Sequence, residues 1–346
     1  MSNLTHDNAL WNKTVGVDRV LAELRSGRAV VTATAVTRDG RDYRLLLAPD
    51  GRVLDTAEHG LLEARAAAGL AGPLPAFFES APLGDLTGEA ADIYGGIVGL
   101  LLDRLEPANL PLWEACRESL AGGRPGLVVI RLGEGGRAFG HSLLLADGRH
   151  LGDPLPETVR AEAGRRAPDL AGLTLLEAEG GRYLLDPYRP LPPLYLLGAG
   201  LVCRLVAELA PLAGFRAVVV DADPEYANRQ RFPTAAEVLV VPEFHECFAG
   251  RNVGEDASIV VATRGHAYDP TALAQALRTG AGYVGMMASK ADGRGRMDRL
   301  RREGFGEADV ARVHTPIGLP LGGKTPAVIA MSIMAEVAQC VNARRR

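Results

Sequence analysis

The segment LYLLGAGLVCRLVAELAPLAGFRAVVVDAD, residues 194–223, decides the fold of this chain. It opens with an apolar run that ends in a glycine turn, which predicts a buried strand entering a tight bend. Apolar residues at helical spacing follow, and RAVVVDAD (216–223) returns to a strand pattern. A strand, a glycine turn, a helix and a second strand together predict the first unit of a Rossmann-like sheet.

The turn itself is Gly198-Ala199-Gly200. In a dinucleotide-binding turn the first glycine permits the tight bend, and the second lets a phosphate approach the helix N-terminus. Cys203 occupies the third, small position, so the match is incomplete. Asp221 ends the next predicted strand, where an acid can bond a ribose hydroxyl. The alternative is a Rossmann-like domain that binds no nucleotide.

The rest of the second half alternates between strand and helix. The predicted strands are EVLVV (237–241), SIVVATR (258–264) and YVGMMAS (283–289), and the predicted helices are 269–279, 291–303 and 325–343. Short apolar strands separated by helices predict a parallel sheet with helices on both faces.

The first half has another pattern, with helical segments interspersed among strand-like hairpins. Three prolines in Arg189–Pro193 predict an extended connector and place a boundary at about residue 190. The predicted fold class is therefore α/β, with a Rossmann-like C-terminal domain over 191–346 and an N-terminal α+β domain over 1–190. No solenoid-type repeat is visible.

Composition excludes several classes of protein. The net charge is −4, which argues against a nucleic-acid-binding surface. We expect no membrane span, because no apolar run reaches the roughly 18–20 residues that one needs. The N-terminus lacks the pattern of a secretory signal. The four cysteines are scattered without a CxxC pair, which fits the cytoplasm and argues against a structural zinc site. We therefore expect a cytoplasmic protein with no metal site.

Two further strand ends carry polar residues. In ATRGHAYD (262–269), Arg264 can pair with a phosphate beside Gly265, and His266 can act as an acid or base. The alternative is that Asp269 caps the next helix and the others shape the turn. In GMMASK (285–290), Gly285 precedes Ser289, which can cap a helix, and Lys290, which can reach a phosphate.

Thr325-Pro326 predicts a helix start, since Pro is favoured at the first helical position. The helix that follows is apolar nearly all round. It is therefore predicted to be buried or to lie at a subunit contact, and a homodimer is one reading.

These blocks, together with HTPIGLPLGGKTPAVIAMSIMAEV (314–337), resemble the C-terminal domain of the XdhC/CoxI family over roughly 190–343. Family members are maturation factors for molybdenum hydroxylases such as xanthine dehydrogenase. The resemblance implies binding of molybdenum cofactor (molybdopterin), its protection during sulfuration and its delivery to the target. The implied partners are a molybdenum hydroxylase apo-enzyme and a cysteine desulfurase.

The chain departs from the family where thiols would stand. The loop after Gly40 lacks the family's Ser-Ser-Pro-Arg-type sequence, and His59-Gly60-Leu61 replaces Gly-Gly-Cys. Tyr94-Gly95-Gly96 replaces a second cysteine-bearing turn. Leu201 stands where the family has His after the second glycine, and Pro320 where it has an acid. These departures argue against cofactor binding through cysteine.

Three functions remain open from sequence alone. The first is a cofactor-binding and insertion chaperone that holds molybdenum cofactor or a dinucleotide at the sheet edge. The second is an NAD(P)-dependent oxidoreductase with His266 as its catalytic acid or base. The third is an interaction module with a vestigial nucleotide site. The cofactor-binding residues predicted for the first are Gly198, Gly200, Asp221, Arg264, Gly265, Gly285, Ser289 and Lys290.

Overall fold

The computed structural model of the 346-residue chain describes residues 13–37, 42–55, 78–79, 97–133, 138–170 and 172–344. The chain forms two compact units, Met1–Pro190 and Leu191–Arg346. The family departures at Gly40, at 59–61 and at 94–96 lie outside the described residues. So does the segment HGLLEARAAAGL (59–70), whose helical spacing predicts a helix.

The N-terminal unit contains two five-stranded antiparallel sheets, so the expected α+β fold is confirmed. The first has the order β3-β2-β1-β5-β4 and consists of β1 (Val30–Thr37), β2 (Asp42–Leu47), β3 (Val53–Asp55), β4 (Phe78–Glu79) and β5 (Ile97–Leu105). The second has the order β8-β7-β6-β10-β9 and consists of β6 (Gly126–Leu132), β7 (Ala138–Leu145), β8 (His150–Gly152), β9 (Thr174–Ala178) and β10 (Gly181–Tyr188).

Three helices complete the described part of this unit: α1 (Lys13–Arg25), α2 (Leu110–Ala121) and α3 (Glu157–Arg166). The apolar faces of α1 and α2 share one core with residues of both sheets. Trp113 of α2 meets Tyr188 of β10 edge to face, with ring centroids 5.4 Å apart. Each of these helices buries one apolar stripe, which is how a short amphipathic helix is stabilised.

The C-terminal unit contains a six-stranded parallel sheet with the order β13-β12-β11-β14-β15-β16. Its strands are β11 (Pro193–Leu197), β12 (Arg216–Asp221), β13 (Glu237–Val240), β14 (Ser258–Val261), β15 (Tyr283–Met286) and β16 (Val313–His314). Its helices are α4 (Leu201–Leu209), α5 (Asp269–Leu277), α6 (Lys290–Arg302), α7 (Glu307–Ala311) and α8 (Pro326–Arg344).

Alternate residues of the parallel strands enter separate cores on the two faces of the sheet. Leu196 and Val219 pack on the side of α4 and α8, whereas Leu197 and Val220 pack on the side of α5 and α6. The expected parallel sheet with helices on both faces is confirmed. The strand order reverses between β11 and β14, and in such sheets ligands bind beyond the carboxyl ends of the strands at this point.

Three element boundaries differ from expectation. The strand predicted over 283–289 ends at Met286, and Ser289 is the N-cap of the next helix. Helix α4 ends at Leu209 rather than continuing towards residue 215, because Pro211 cannot donate the backbone hydrogen bond that a continuing helix needs. The strand predicted over 258–264 ends at Val261, so Arg264 and His266 lie in the turn that follows it.

Helix α8 begins at Pro326, as predicted, and Thr325 Oγ1 accepts the N–H of Val328 at 3.4 Å. Five of its apolar residues are buried, but Met331 is 54% exposed. Among the described helices, α8 is the one that is long and apolar enough to cross a membrane. A core helix passes the same test, and α8 packs within a core that it shares with α4.

Candidate functional site

The two glycines of the turn after β11 differ in backbone conformation and in the space around them. Gly198 has φ +126°, and a Cβ there would lie 2.2 Å from the carbonyl oxygen of Ala262. Gly200 has φ −74°, and a Cβ there would meet only Arg264 Cγ at 3.8 Å. Gly198 is therefore required for packing against the residue that follows β14, whereas Gly200 faces open space.

Gly200 is the N-cap of α4 and provides no side chain to cap it. The first N–H groups of a helix have no partner within the helix, and the helix dipole adds partial positive charge there. An open approach beside such an N-terminus suits an anionic group.

Asp221 fixes this turn through hydrogen bonds to its carboxylate. Its carboxylate, with the residue 3% exposed, accepts the N–H of Ala199 at 2.7 Å and the N–H of Asp223 at 3.0 Å. These bonds hold the glycine turn against the end of β12. The predicted contact between Asp221 and a ribose hydroxyl stays a prediction.

Arg264 lies beside the glycine turn. Its guanidinium donates to Asp223 Oδ2 at 2.8 Å and lies 3.7 Å from Asp221 Oδ1. The guanidinium carbon also lies 3.5 Å from the centre of the Tyr226 ring, in a cation–π contact. The structure thus brings together Gly198, Gly200, Asp221 and Arg264, as the sequence predicted.

The sequence reasoning missed Asp223 and Tyr226, which set the position of Arg264. The only signal was their place just beyond the carboxyl end of β12, since polar and aromatic residues at strand ends of parallel sheets face the ligand-binding edge.

Next to Arg264, Asp269 forms the centre of a polar network. It is fully buried and accepts the backbone N–H and the hydroxyl of Thr263, at 3.1 and 2.6 Å. His266 Nδ1 donates to it at 2.8 Å, and Arg296 of α6 forms an ion pair with it at 3.1 Å. The alternative that Asp269 caps α5 is wrong: the N-cap is Tyr268, and the Asp269 carboxylate binds these three residues instead.

This network presents His266 at the sheet edge. The residue has φ +62°, a left-handed conformation that costs a non-glycine residue energy and that often occurs at functional sites. Its side chain is 50% exposed. The Asp269 carboxylate accepts from Nδ1, so Nε2 is the ring nitrogen that takes no part in this network. Arg296, which completes the network, was not identified from the sequence.

The remaining predicted residues have mixed positions. Gly265 has φ +66° and open space around it. Ser289 caps α6, as one alternative predicted, by accepting the N–H of Asp292 at 3.1 Å. Lys290 is exposed at the first position of the same helix. Gly285 instead avoids a clash, because a Cβ there would lie 2.4 Å from Ile317 Cδ1.

A second network fixes the loop after β16. Glu336 of α8 accepts the Tyr283 hydroxyl at 2.6 Å and the N–H of Gly318 at 2.8 Å. His314 Nδ1 lies 3.4 Å from the same carboxylate. Burial and the bond to Glu336 both raise the pKa of Tyr283, so this hydroxyl stays protonated. The network holds the glycine-rich segment 315–325 against α8.

The thiols are poorly suited to bind a metal or sulfur. Burial and the carboxylates of Asp221 and Asp269 raise the pKa of Cys203 to about 12. Burial raises the pKa of Cys247 to about 12 as well, and that of Cys340 also rises. Within the described ranges, no cluster of three or more His, Cys, Asp or Glu residues is arranged to hold a metal ion.

Residues 194–337, which contain every part of this site, match the family model of the XdhC Rossmann domain. The C-terminal half of the chain is therefore similar to an XdhC Rossmann domain. Two relatives are similar to this chain. An uncharacterized protein of Escherichia coli K12, YqeB, is 32% identical over 151 residues, which cover 44% of this chain and 28% of YqeB. A probable xanthine dehydrogenase subunit of Bacillus subtilis 168 is 25% identical over 248 residues, 70% of this chain and 69% of that protein.

The fold of this chain also occurs in a solved structure. The crystal structure of a xanthine dehydrogenase from Bacillus halodurans superposes with a TM-score of 0.70 at 20% identity. The match covers 96% of this chain and 97% of that one, so the likeness of fold includes the N-terminal half.

Proposed function

We propose that this protein is an accessory factor for the maturation of a molybdenum hydroxylase of the xanthine dehydrogenase type. It binds molybdenum cofactor, or a dinucleotide, through phosphate at the edge of its parallel sheet and delivers the cofactor to the apo-enzyme. Two findings support this proposal: the match to the XdhC Rossmann domain, and the similarity to a probable xanthine dehydrogenase subunit.

One observation carries the binding part of the proposal. Gly200 leaves the N-terminus of α4 without a capping side chain, and its open side adjoins only Arg264. A phosphate there would meet backbone N–H groups, the helix dipole and a guanidinium. These are the three features that favour anion binding at a helix N-terminus.

The residues present suit the phosphate of the cofactor and not its soft atoms. Cys203 is buried in the packing between helix and strand, and its high pKa keeps it a thiol at neutral pH. A bound cofactor would supply the molybdenum and dithiolene chemistry that the target enzyme uses. The part of this chain is to hold the phosphate end, while Asp221 keeps the glycine turn in place.

The test compares two additions of a methyl group. Gly200→Ala places its methyl in the space that a phosphate needs, so its affinity for molybdopterin should fall at least tenfold, about 1.4 kcal/mol. Gly295→Ala, in an exposed turn of α6 with no atom within 4 Å, should bind as the parent does. Calorimetric titration of both variants measures the difference, and thermal unfolding checks that each is folded.

The titration also separates the alternatives. Equal affinity of the two variants would exclude a phosphate site at Gly200. Turnover of reduced nicotinamide by the parent protein, lost in His266→Gln, would favour the NAD(P)-dependent oxidoreductase. If the parent protein shows neither molybdopterin binding nor nicotinamide turnover, the interaction module is favoured.

A further inference from the structure

The two sheets of the N-terminal unit have the same topology. In each, the first strand of the sheet lies at the centre, the next two continue to one side, and the last two occupy the other side. Each sheet follows a helix, α1 for the first and α2 for the second, and these helices belong to one core. The described elements from α1 to β5 and from α2 to β10 therefore form two copies of one arrangement of helix and sheet.

The connections between the elements agree as well. Both helices end in a left-handed glycine, Gly27 with φ +75° and Gly123 with φ +73°. In each case the glycine N–H bonds three residues back, at 3.0 Å. Both hairpins turn on Asp-Gly-Arg, at 50–52 and 147–149, and each glycine there has φ +85°. Equivalent residues lie 96 or 97 positions apart through these segments.

The strand registers then show which charged residues are equivalent. Arg44 pairs with Thr34 in the first sheet, as His141 pairs with Ile130 in the second. Asp103 pairs with Thr32 in the first sheet, as Asp186 pairs with Val128 in the second. Arg44 and His141 thus hold one equivalent position, and Asp103 and Asp186 hold another.

These four residues form two reciprocal bonds between the copies. Arg44 of the first copy donates to Asp186 of the second at 2.7 Å. His141 Nε2 of the second copy lies 2.9 Å from both oxygens of Asp103 in the first. All four are at most 8% exposed.

We infer that the N-terminal unit is a tandem duplication whose two copies are joined by two symmetry-related buried ion pairs, one of which exists only while His141 is protonated. Breaking either pair would leave an uncompensated buried charge. The two copies differ in one respect: arginine keeps its charge at all physiological pH values, whereas histidine does not.

The groups that act on His141 decide the direction of the pH effect. Burial lowers its pKa, but Asp103, which faces its ring, and Asp153, whose carboxylate accepts its backbone N–H at 2.7 Å, raise it more. The pKa of His141 therefore lies above its ordinary 6.5. A group with a raised pKa in the folded state stabilises the fold fully below the unfolded-state value. This stabilisation is lost as pH rises from about 6.5 through the folded-state pKa.

A series of three proteins tests this inference. The chain has two tryptophans, Trp11 and Trp113, and Trp113 is buried in the core of the N-terminal unit. Tryptophan fluorescence therefore follows the unfolding of this unit within the full chain. Denaturant unfolding is measured from pH 6 upward. His141→Arg places in the second copy the arginine that the first copy has at the equivalent position, Arg44. This variant should no longer show the proton-linked loss of stability. Arg44→His should double this proton-linked loss of stability, because two histidines then bind protons on folding.

The loss of stability with rising pH should therefore be steepest in Arg44→His, intermediate in the parent and shallowest in His141→Arg. A parent slope that survives in His141→Arg would overturn the inference. So would a His141→Arg protein as unstable as His141→Ala, because the position would then not be equivalent to Arg44.

A second measurement does not require that the arginine of His141→Arg be accommodated in the core. The ring signals of His141, assigned by comparison with His141→Gln, are titrated by NMR in the parent and in Asp103→Asn. The parent residue should titrate above pH 6.5, and Asp103→Asn should move its pKa down by at least one unit. A parent pKa at or below 6.5 would contradict the inference.

Discussion

The two units place their charged residues in opposite ways. In the C-terminal unit, the side chains of Arg264 and Asp223 are both 35% exposed, at the carboxyl edge of the sheet. In the N-terminal unit, the side chains of Arg44 and Asp186 are both 4% exposed, between two sheets. An exposed pair can exchange its partner for a ligand, whereas a buried pair fixes how two layers meet. The proposed binding edge therefore has exposed charges, whereas the N-terminal unit joins its own two copies through buried charges.

Breaking a buried pair should have the largest effect on stability. Asp186→Asn removes the carboxylate that pairs with Arg44 in the core, and we expect a loss of about 3–5 kcal/mol in the unfolding free energy of the N-terminal unit. Tryptophan fluorescence in denaturant measures it. Asp147→Asn, which breaks the exposed pair with Arg149, is the matched control and should cost much less, because solvent screens this pair. Equal losses would mean that burial does not distinguish the pairs.

The exposed pair should show the reverse pattern. Arg264→Ala removes a half-exposed contact with Asp223, so stability should change by less than about 1 kcal/mol. Affinity for molybdopterin should fall about tenfold, since a charge-assisted bond to phosphate is lost. Calorimetry and thermal unfolding measure the two effects separately. A destabilised variant with undiminished affinity would make Arg264 a structural residue and remove the contrast.

The smallest effect concerns the thiols. With pKa values of about 12, Cys203 and Cys247 are about one part in ten thousand thiolate at pH 8. An aromatic disulfide reagent should therefore leave both unmodified in the folded protein, and treatment should not change molybdopterin affinity. Modification is counted by mass spectrometry. Rapid labelling of Cys203 together with a loss of molybdopterin binding would show that the cofactor is bound through cysteine.

The sequence predicted five of the six strands of the parallel sheet, because each of these five is a short apolar run followed by a turn signal. It missed β16 (Val313–His314), which has only two residues. It also predicted the glycine turn, since strand, turn and helix are consecutive in the chain. The same reasoning placed Arg264 at the edge, because the carboxyl ends of parallel strands meet there.

What the sequence did not predict depends on contacts between distant residues. Arg296 reaches Asp269 from another helix, and Glu336 reaches Tyr283 across 53 positions. No local pattern encodes either contact. The duplication left a visible trace in the sequence, LLLAPDGR at 45–52 and LLLADGR at 143–149, but most other positions differ. The equivalence of Arg44 with His141 appears only from the strand registers.

The central claim is that the edge of the parallel sheet holds a phosphate-bearing cofactor. Native mass spectrometry of the full-length protein, purified from cells that make molybdenum cofactor, tests it most directly. We expect a bound mass equal to a molybdopterin species or a dinucleotide, strongly reduced in Gly200→Ala and retained in Gly295→Ala. A bound cofactor present in equal amounts in both variants would contradict the account, as would a parent protein that carries none and binds none when it is added.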